Sequence, residues 1–169
     1  MEQIQDLLFI TFVIKKLKPE FEVRCCGCRE ILMPEYKTPV HILGMIKSDD
    51  KFIPVMDPSI WFLGGPTRLT TSSCILIVEH NYEYRQLKTG IIISDSEELM
   101  EMAASGNEHR LLKNSTFNIR FIRELSGNAA ARDFLADSHK KLNMCWEQRR
   151  TDDDFTAFKE IVLRGLAYA

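Results

Sequence analysis

Cys25, Cys26 and Cys28 form the most crowded group of reactive side chains in the sequence, and Cys25-x-x-Cys28 has the spacing of a metal or redox pair. A zinc site needs four ligands, and no second cysteine pair or histidine pair follows at finger spacing. Cys74 and Cys145 are distant, and the total of five is odd. The plain expectation is reduced, buried thiols that behave as small hydrophobes. The histidines His41, His80, His109 and His139 share no metal spacing. His41 and His80 stand beside expected strand ends, where surface or capping roles are commoner than ligation. Carboxylates gather at Asp49-Asp50, Glu97-Glu98 and Asp152–Asp154. Each group falls in a turn or at a helix start, where solvent and the helix dipole account for it. Ser138-x-x-Lys141 has a Ser–Lys spacing that arises often by chance. There is no nucleophile elbow, no phosphate-cradling Gly loop and no His-Glu-x-x-His. The residues therefore predict no catalytic centre, no metal and no cofactor.

Composition narrows the field further. At 169 residues with 45% hydrophobic content, the chain is one domain or two small lobes sharing a core. A net charge of -2 supplies no basic field for nucleic acid. Tyr82, Tyr84 and Arg85 could stack bases, but an acidic chain argues against it. No apolar run reaches membrane-spanning length, and Met1–Lys16 lacks the basic start of a secretory leader. The expectation is a cytoplasmic protein that neither inserts into a membrane nor binds nucleic acid.

The elements that would position any site centre on Val40–Gly65. Two apolar runs, HILGMI and KFIPVMD, flank a polar turn at Lys47-Ser48-Asp49-Asp50 and read as a hairpin. The second run is apolar at odd and even positions, so it should be packed on both sides. Pro54 marks an edge, a bulge or a change of strand partner. Asp57-Pro58 should open a short helix over Ser59–Leu63, stopped at Gly64-Gly65-Pro66. Leu7–Ile14, Phe21–Arg24, Cys74–Glu79, Tyr82–Leu87, Gly90–Ile93 and Phe117–Phe121 read as strands, with a turn at His80-Asn81. Cys28–Leu32 reads as one helical turn. Ser94-x-x-Glu97 has capping-box spacing and should open a helix through Met102. Ala129–Leu142 has helix formers at most positions. Thr151–Ala169 reads as an amphipathic helix with Phe155, Phe158, Val162 and Leu166 on one face. Short strands in this order point to small barrels rather than a parallel sheet.

The order of segments resembles the CheW-like family of chemotaxis coupling proteins. FEVRCCGCREIL (Phe21–Leu32) is similar to that family's second strand and following Val-x-Glu-Ile, and PEYKTPV (Pro34–Val40) to its loop ending in Thr-Pro-Val. His41–Asp57 is similar to its Gly-Val-Ile-Asn-Leu-Arg-Gly turn and Ile-Pro-Val-x-Asp strand, with Gly44, Ile46, Ile53, Pro54, Val55 and Asp57 in place. The resemblance covers roughly residues 6–103. It implies a mainly β protein with short helices, built as two interlocked five-stranded SH3-like barrels within residues 1–142. A helical extension over 143–169 would lie beyond the shared core.

The resemblance also implies a non-catalytic adaptor that couples a chemoreceptor's cytoplasmic helices to the regulatory domain of a histidine kinase, at membrane receptor arrays. The implied partner positions are Cys28, Glu30, Gly44, Ile46, Lys47, Asp49 and Met56. An alternative is a relative that has lost receptor coupling and binds a different protein. Asp49 stands where the family carries Arg, and Asp50 where it carries Gly; a charge reversal at an interface changes partner choice. The family's barrel-closing strands would fall on Phe121–Leu135, where three consecutive alanines are poor strand formers. Two readings of that segment stay open, strands kept by tertiary context or a helix that leaves the first barrel incomplete.

Overall fold

A computed structural model describes residues 8–14, 23–32, 38–48, 51–82, 85–105, 116–125 and 128–147. Its elements are β1 (Leu8–Ile14), β2 (Val23–Glu30), β3 (Ile42–Ser48), β4 (Lys51–Met56), α1 (Pro58–Leu63), β5 (Cys74–Tyr82), β6 (Arg85–Ile93), α2 (Ser96–Ser105), α3 (Phe117–Glu124) and α4 (Ala129–Glu147). The strands form one six-stranded sheet in the order β2-β1-β5-β6-β4-β3. The sheet is mixed. β1–β2, β3–β4 and β5–β6 are antiparallel, while β1–β5 and β4–β6 run parallel.

Strand composition follows position in this order. Cys74–Val78 of β5 lies between β1 and β6 and is buried on both faces, so this stretch is a continuous apolar run. Cys74, Leu76 and Val78 join one core with Met56, Ile91, Ile93 and the inner faces of α2, α3 and α4. Ile75 and Ile77 join a second core with Ile31, Leu43, Ile46, Ile53, Val55 and Ile92. β4 shows the expected two-sided burial, with Ile53 and Val55 in the second core and Met56 in the first. Pro54 precedes the point where β4 gains its second neighbour: only Val55 and Met56 pair with β6, at Gly90 and Ile91.

The described residues form no pair of closed five-stranded barrels. The sheet stays open except at one place, where its two edges touch. Leu32, just beyond β2, makes an isolated antiparallel bridge to Met45 of β3. Leu32 N–H donates to Met45 O at 2.7 Å, and Met45 N–H donates to Leu32 O at 2.9 Å. This contact curls the sheet around the second core.

Several local expectations change. Cys28–Leu32 is extended rather than helical, because Cys28, Arg29 and Glu30 pair with Ile10, Phe9 and Leu8 of β1. His80-Asn81 lies inside β5 rather than at a turn, and β6 runs unbroken from Arg85 to Ile93. Phe117–Phe121 is helical: Asn118, Ile119, Phe121, Ile122 and Leu125 are buried at helical spacing, which outweighs their β-forming composition. The described residues of Phe121–Leu135 belong mostly to α3 and α4, and none of them forms a barrel-closing strand. α4 continues to Glu147, so the division expected at residue 142 falls within a helix. The cap of α2 is Asp95 rather than Ser94. Its Oδ1 accepts Glu97 N–H at 2.9 Å, while Ser94 Oγ donates to Arg68 O at 2.8 Å. The tail segment Thr151–Ala169 and the turn residues Asp49-Asp50 lie outside the described residues.

Candidate protein-docking face

The positions implied by resemblance separate in the structure. Ile46 and Met56 are both fully buried, in different cores on opposite faces of the sheet. Gly44 lies where the sheet edges touch, and a Cβ there would stand 2.4 Å from Leu32 O and 2.7 Å from Ile31 Cγ2. Its lack of a side chain serves that close approach. Glu30 and Lys47 are exposed, one on each edge strand. Cys28 is paired with Ile10 in β2, its side chain outside the described residues, as is Asp49 entirely. The β3–β4 pairing sets Gly44 opposite Val55, next to Met56, and the edge bridge brings residues 30–32 beside 44–45.

A different surface stands out, and it is built by α1. Asp57 caps this helix by accepting Ser59 N–H, Pro58 occupies its first turn, and Gly64 closes it at φ 76°. The helix is too short to turn every residue inward. Pro58 and Ser59 are buried, and Trp61, Phe62 and Leu63 are 50%, 48% and 62% exposed. Phe62 packs at 4.9 Å from Phe134 of α4 and 5.5 Å from Phe117 of α3, measured between ring centroids. Trp61 meets His41 edge-on at 5.3 Å, and the Lys141 ammonium lies 5.1 Å from its centroid. A pocket of about 370 Å³ opens beside this aromatic ledge, with Phe62, Phe117, Arg120, Phe121, Glu124 and Ala131 among its walls. Scattered exposed hydrophobes are ordinary, whereas a contiguous apolar ledge marks an interaction surface. Residue spacing did carry a signal for it: Trp61-Phe62-Leu63, three bulky apolar residues in a row, end a helix of under two turns.

The ledge stands on two polar supports. Asp57 Oδ1 accepts from Thr67 Oγ1 at 2.7 Å and Asn118 Nδ2 at 2.9 Å, and Oδ2 accepts Thr67 N–H at 2.7 Å. Asn118 also donates to Ile92 O at 2.8 Å and accepts Ser59 N–H at 3.1 Å, so one buried amide joins α1, α3 and β6. The second support is a pair of histidine–hydroxyl contacts along α4, each 2.8 Å: His41 Nε2 with Ser138 Oγ, and His139 Nε2 with Thr89 Oγ1 of β6.

The His41–Ser138 contact invites a catalytic reading, and its geometry argues otherwise. Ser138 is 1% exposed, and its hydroxyl hydrogen is committed to Phe134 O at 2.8 Å. Ser138 Oγ therefore accepts from His41 Nε2–H, the reverse of a base drawing a proton from a nucleophile. Burial, aided by the nearby Lys141 charge and opposed by Asp137 and Asp57, lowers the His41 pKa from 6.5 to about 4, so the ring is neutral at pH 7. His41 is thus a buried strut, where its place beside a strand end suggested a surface or capping role. Among the described residues no three His, Cys, Asp or Glu side chains gather as metal ligands, and no helix is long and apolar enough to cross a membrane. Cys74 is buried.

No protein-family profile matches the chain, and no curated protein does. Among solved structures it is similar to the scaffolding protein TtCheW from Thermoanaerobacter tengcongensis, at 24% identity and a TM-score of 0.31. The match covers 53% of this chain and 62% of that one, less than two thirds of the neighbour's length.

Proposed function

We propose that this chain is a non-catalytic protein-interaction module that docks a partner on the aromatic ledge. The observation that carries this reading is the run Trp61-Phe62-Leu63, about half exposed and backed by Phe117 and Phe134. A half-buried aromatic surface beside an apolar pocket suits an amphipathic helix or another domain's apolar face. Within that class, the order of motifs from Phe21 to Asp57 favours an adaptor between chemoreceptor helices and the regulatory domain of a histidine kinase. Glu30 and Lys47, exposed on the two edge strands, would form a second, charged contact, joined by Asp49 two residues on in the sequence.

Titration calorimetry against the regulatory domain of a histidine kinase from the same organism tests it. Saturable micromolar binding is expected, weakened by about tenfold or more in Trp61→Ala/Phe62→Ser, as befits aromatic residues at an interface centre. Lys47→Glu should lower affinity less and mainly alter its salt dependence. Absence of binding by the folded protein would overturn the kinase partner and favour a relative repurposed for another protein. Binding that ignores the ledge variant would overturn the ledge.

A further inference from the structure

We propose that the aromatic ledge is also where two copies of this chain pair, about a two-fold axis that sets their α3 helices antiparallel. The pairing does not rest on the kinase-domain reading, which concerns a different occupant of the same face.

Shape gives the first argument. The pocket of about 370 Å³ is walled by Phe62 of α1, by Phe117 and Phe121 of α3, and by Ala131 near the start of α4. Leu63 follows Phe62 in the chain, ends α1 ahead of Gly64 and is 62% exposed. An apolar hollow and an exposed leucine thus stand side by side on one face. Either feature alone suits many partners. The two together are self-complementary, because a two-fold axis between them carries the leucine of each copy to the hollow of the other. Filling the hollow in this way removes both apolar surfaces from water at once.

Charge gives the second argument and fixes the direction. Phe117, Arg120, Phe121 and Glu124 recur at i, i+3, i+4 and i+7, so they form one stripe of α3 along the pocket. Arg120 and Glu124 are the charges among the pocket's described walls, one of each sign, and both are exposed. They lie about 6 Å apart along the helix axis. Among the described residues no ion pair joins them to each other or to a third group, and Glu124 meets the Asn128 amide at a long 3.4 Å. Two α3 helices crossing antiparallel midway between these residues set Arg120 of each copy against Glu124 of the other. A parallel crossing sets Arg120 against Arg120 and Glu124 against Glu124, which like-charge repulsion opposes. A different protein would have to bring the reciprocal pattern, whereas a second copy brings it by symmetry.

The test is sedimentation velocity of the purified chain over a range of concentrations, with urea denaturation of each variant as the check on folding. Wild type should pass from monomer to dimer and no further. Leu63→Asp should raise the dimer dissociation constant by about tenfold or more. Arg120→Glu and Glu124→Arg, each at an exposed position, should do the same, because each turns both cross-pairs into like-charge pairs. An equal mixture of those two variants should recover the dimer, since every cross-pair is then again of opposite sign. Charges that act only within their own helix predict no such recovery. A wild type that stays monomeric, a dimer that ignores Leu63→Asp, or a mixture that associates no better than its components would each overturn the pairing. So would growth beyond the dimer, which marks a contact that does not close. The kinase-domain titration keeps the two readings apart. A monomeric chain that binds the kinase domain loses only the pairing. A dimer that responds to the variants as expected and ignores the kinase domain overturns only the adaptor reading.

Discussion

At the residue scale, His41 shows how little of a side chain's role its type announces. Spacing excluded it from a metal set, and its place beside a strand end suggested a surface or capping role. What the sequence could not convey is that Ser138, ninety-seven positions away, would meet its Nε2 inside the protein. The consequence is a pH dependence. The unfolded histidine titrates near 6.5 and the folded one near 4. Between those values the unfolded chain holds a proton that the folded chain excludes. The stabilisation is therefore complete above pH 6.5 and is lost as pH falls toward 4, by about 3 kcal/mol in full. In His41→Gln an amide can still donate to Ser138 but cannot titrate. Urea denaturation of the variant should lose about 2 kcal/mol less between pH 7.5 and pH 4.5 than the wild type does. An unchanged pH profile would mean that His41 is not the titrating group.

At the element scale, the short helix after β4 was legible to its caps, since Asp57, Pro58 and Gly64 each have a local backbone reason for their position. The β3–β4 hairpin was legible for the same kind of reason, a polar turn between two apolar runs. α3 was not. Phe117, Ile119, Phe121 and Ile122 favour strands locally, and only the partner surfaces supplied by β6, α1 and α2 make their helical period pay. Asn118 is the clearest case of a long-range requirement, because one buried amide meets groups from three elements. Asn118→Ala should cost about 2–3 kcal/mol in chemical denaturation by leaving Ile92 O and part of Asp57 unsatisfied. Asn118→Asp should cost more at pH 7, since it sets a second carboxylate against Asp57 and loses the donor to Ile92 O. Equal stabilities for the two variants at pH 7 would show that the carboxylate of Asp57 does not face residue 118.

At the scale of the whole molecule, strand existence could be read from apolar runs, but closure could not, because closure depends on which edges meet. The resemblance implied barrels closed by strands over Phe121–Leu135. Those residues became helices that cover one face of the sheet, leaving a single bridge between Leu32 and Met45 to curl the other face around its core. Gly44 is the sequence trace of that bridge, since no larger residue leaves room for Leu32 O. If the bridge shapes the second core, two changes that leave that core's side chains in place should each loosen it. Leu32→Pro removes the N–H that donates to Met45 O, at a side chain 39% exposed. Gly44→Ala places a methyl within contact of the facing backbone and forces the edges apart. Each should destabilise the fold by about 1–3 kcal/mol. Hydrogen exchange should rise first in Ile42–Ile46, while Ile75–Val78, held between β1 and β6, should stay protected until global unfolding. Uniform loss of protection across β3 and β5 would instead mean that the sheet opens as one cooperative unit. In that case the bridge would contribute stability without acting as a hinge of its own.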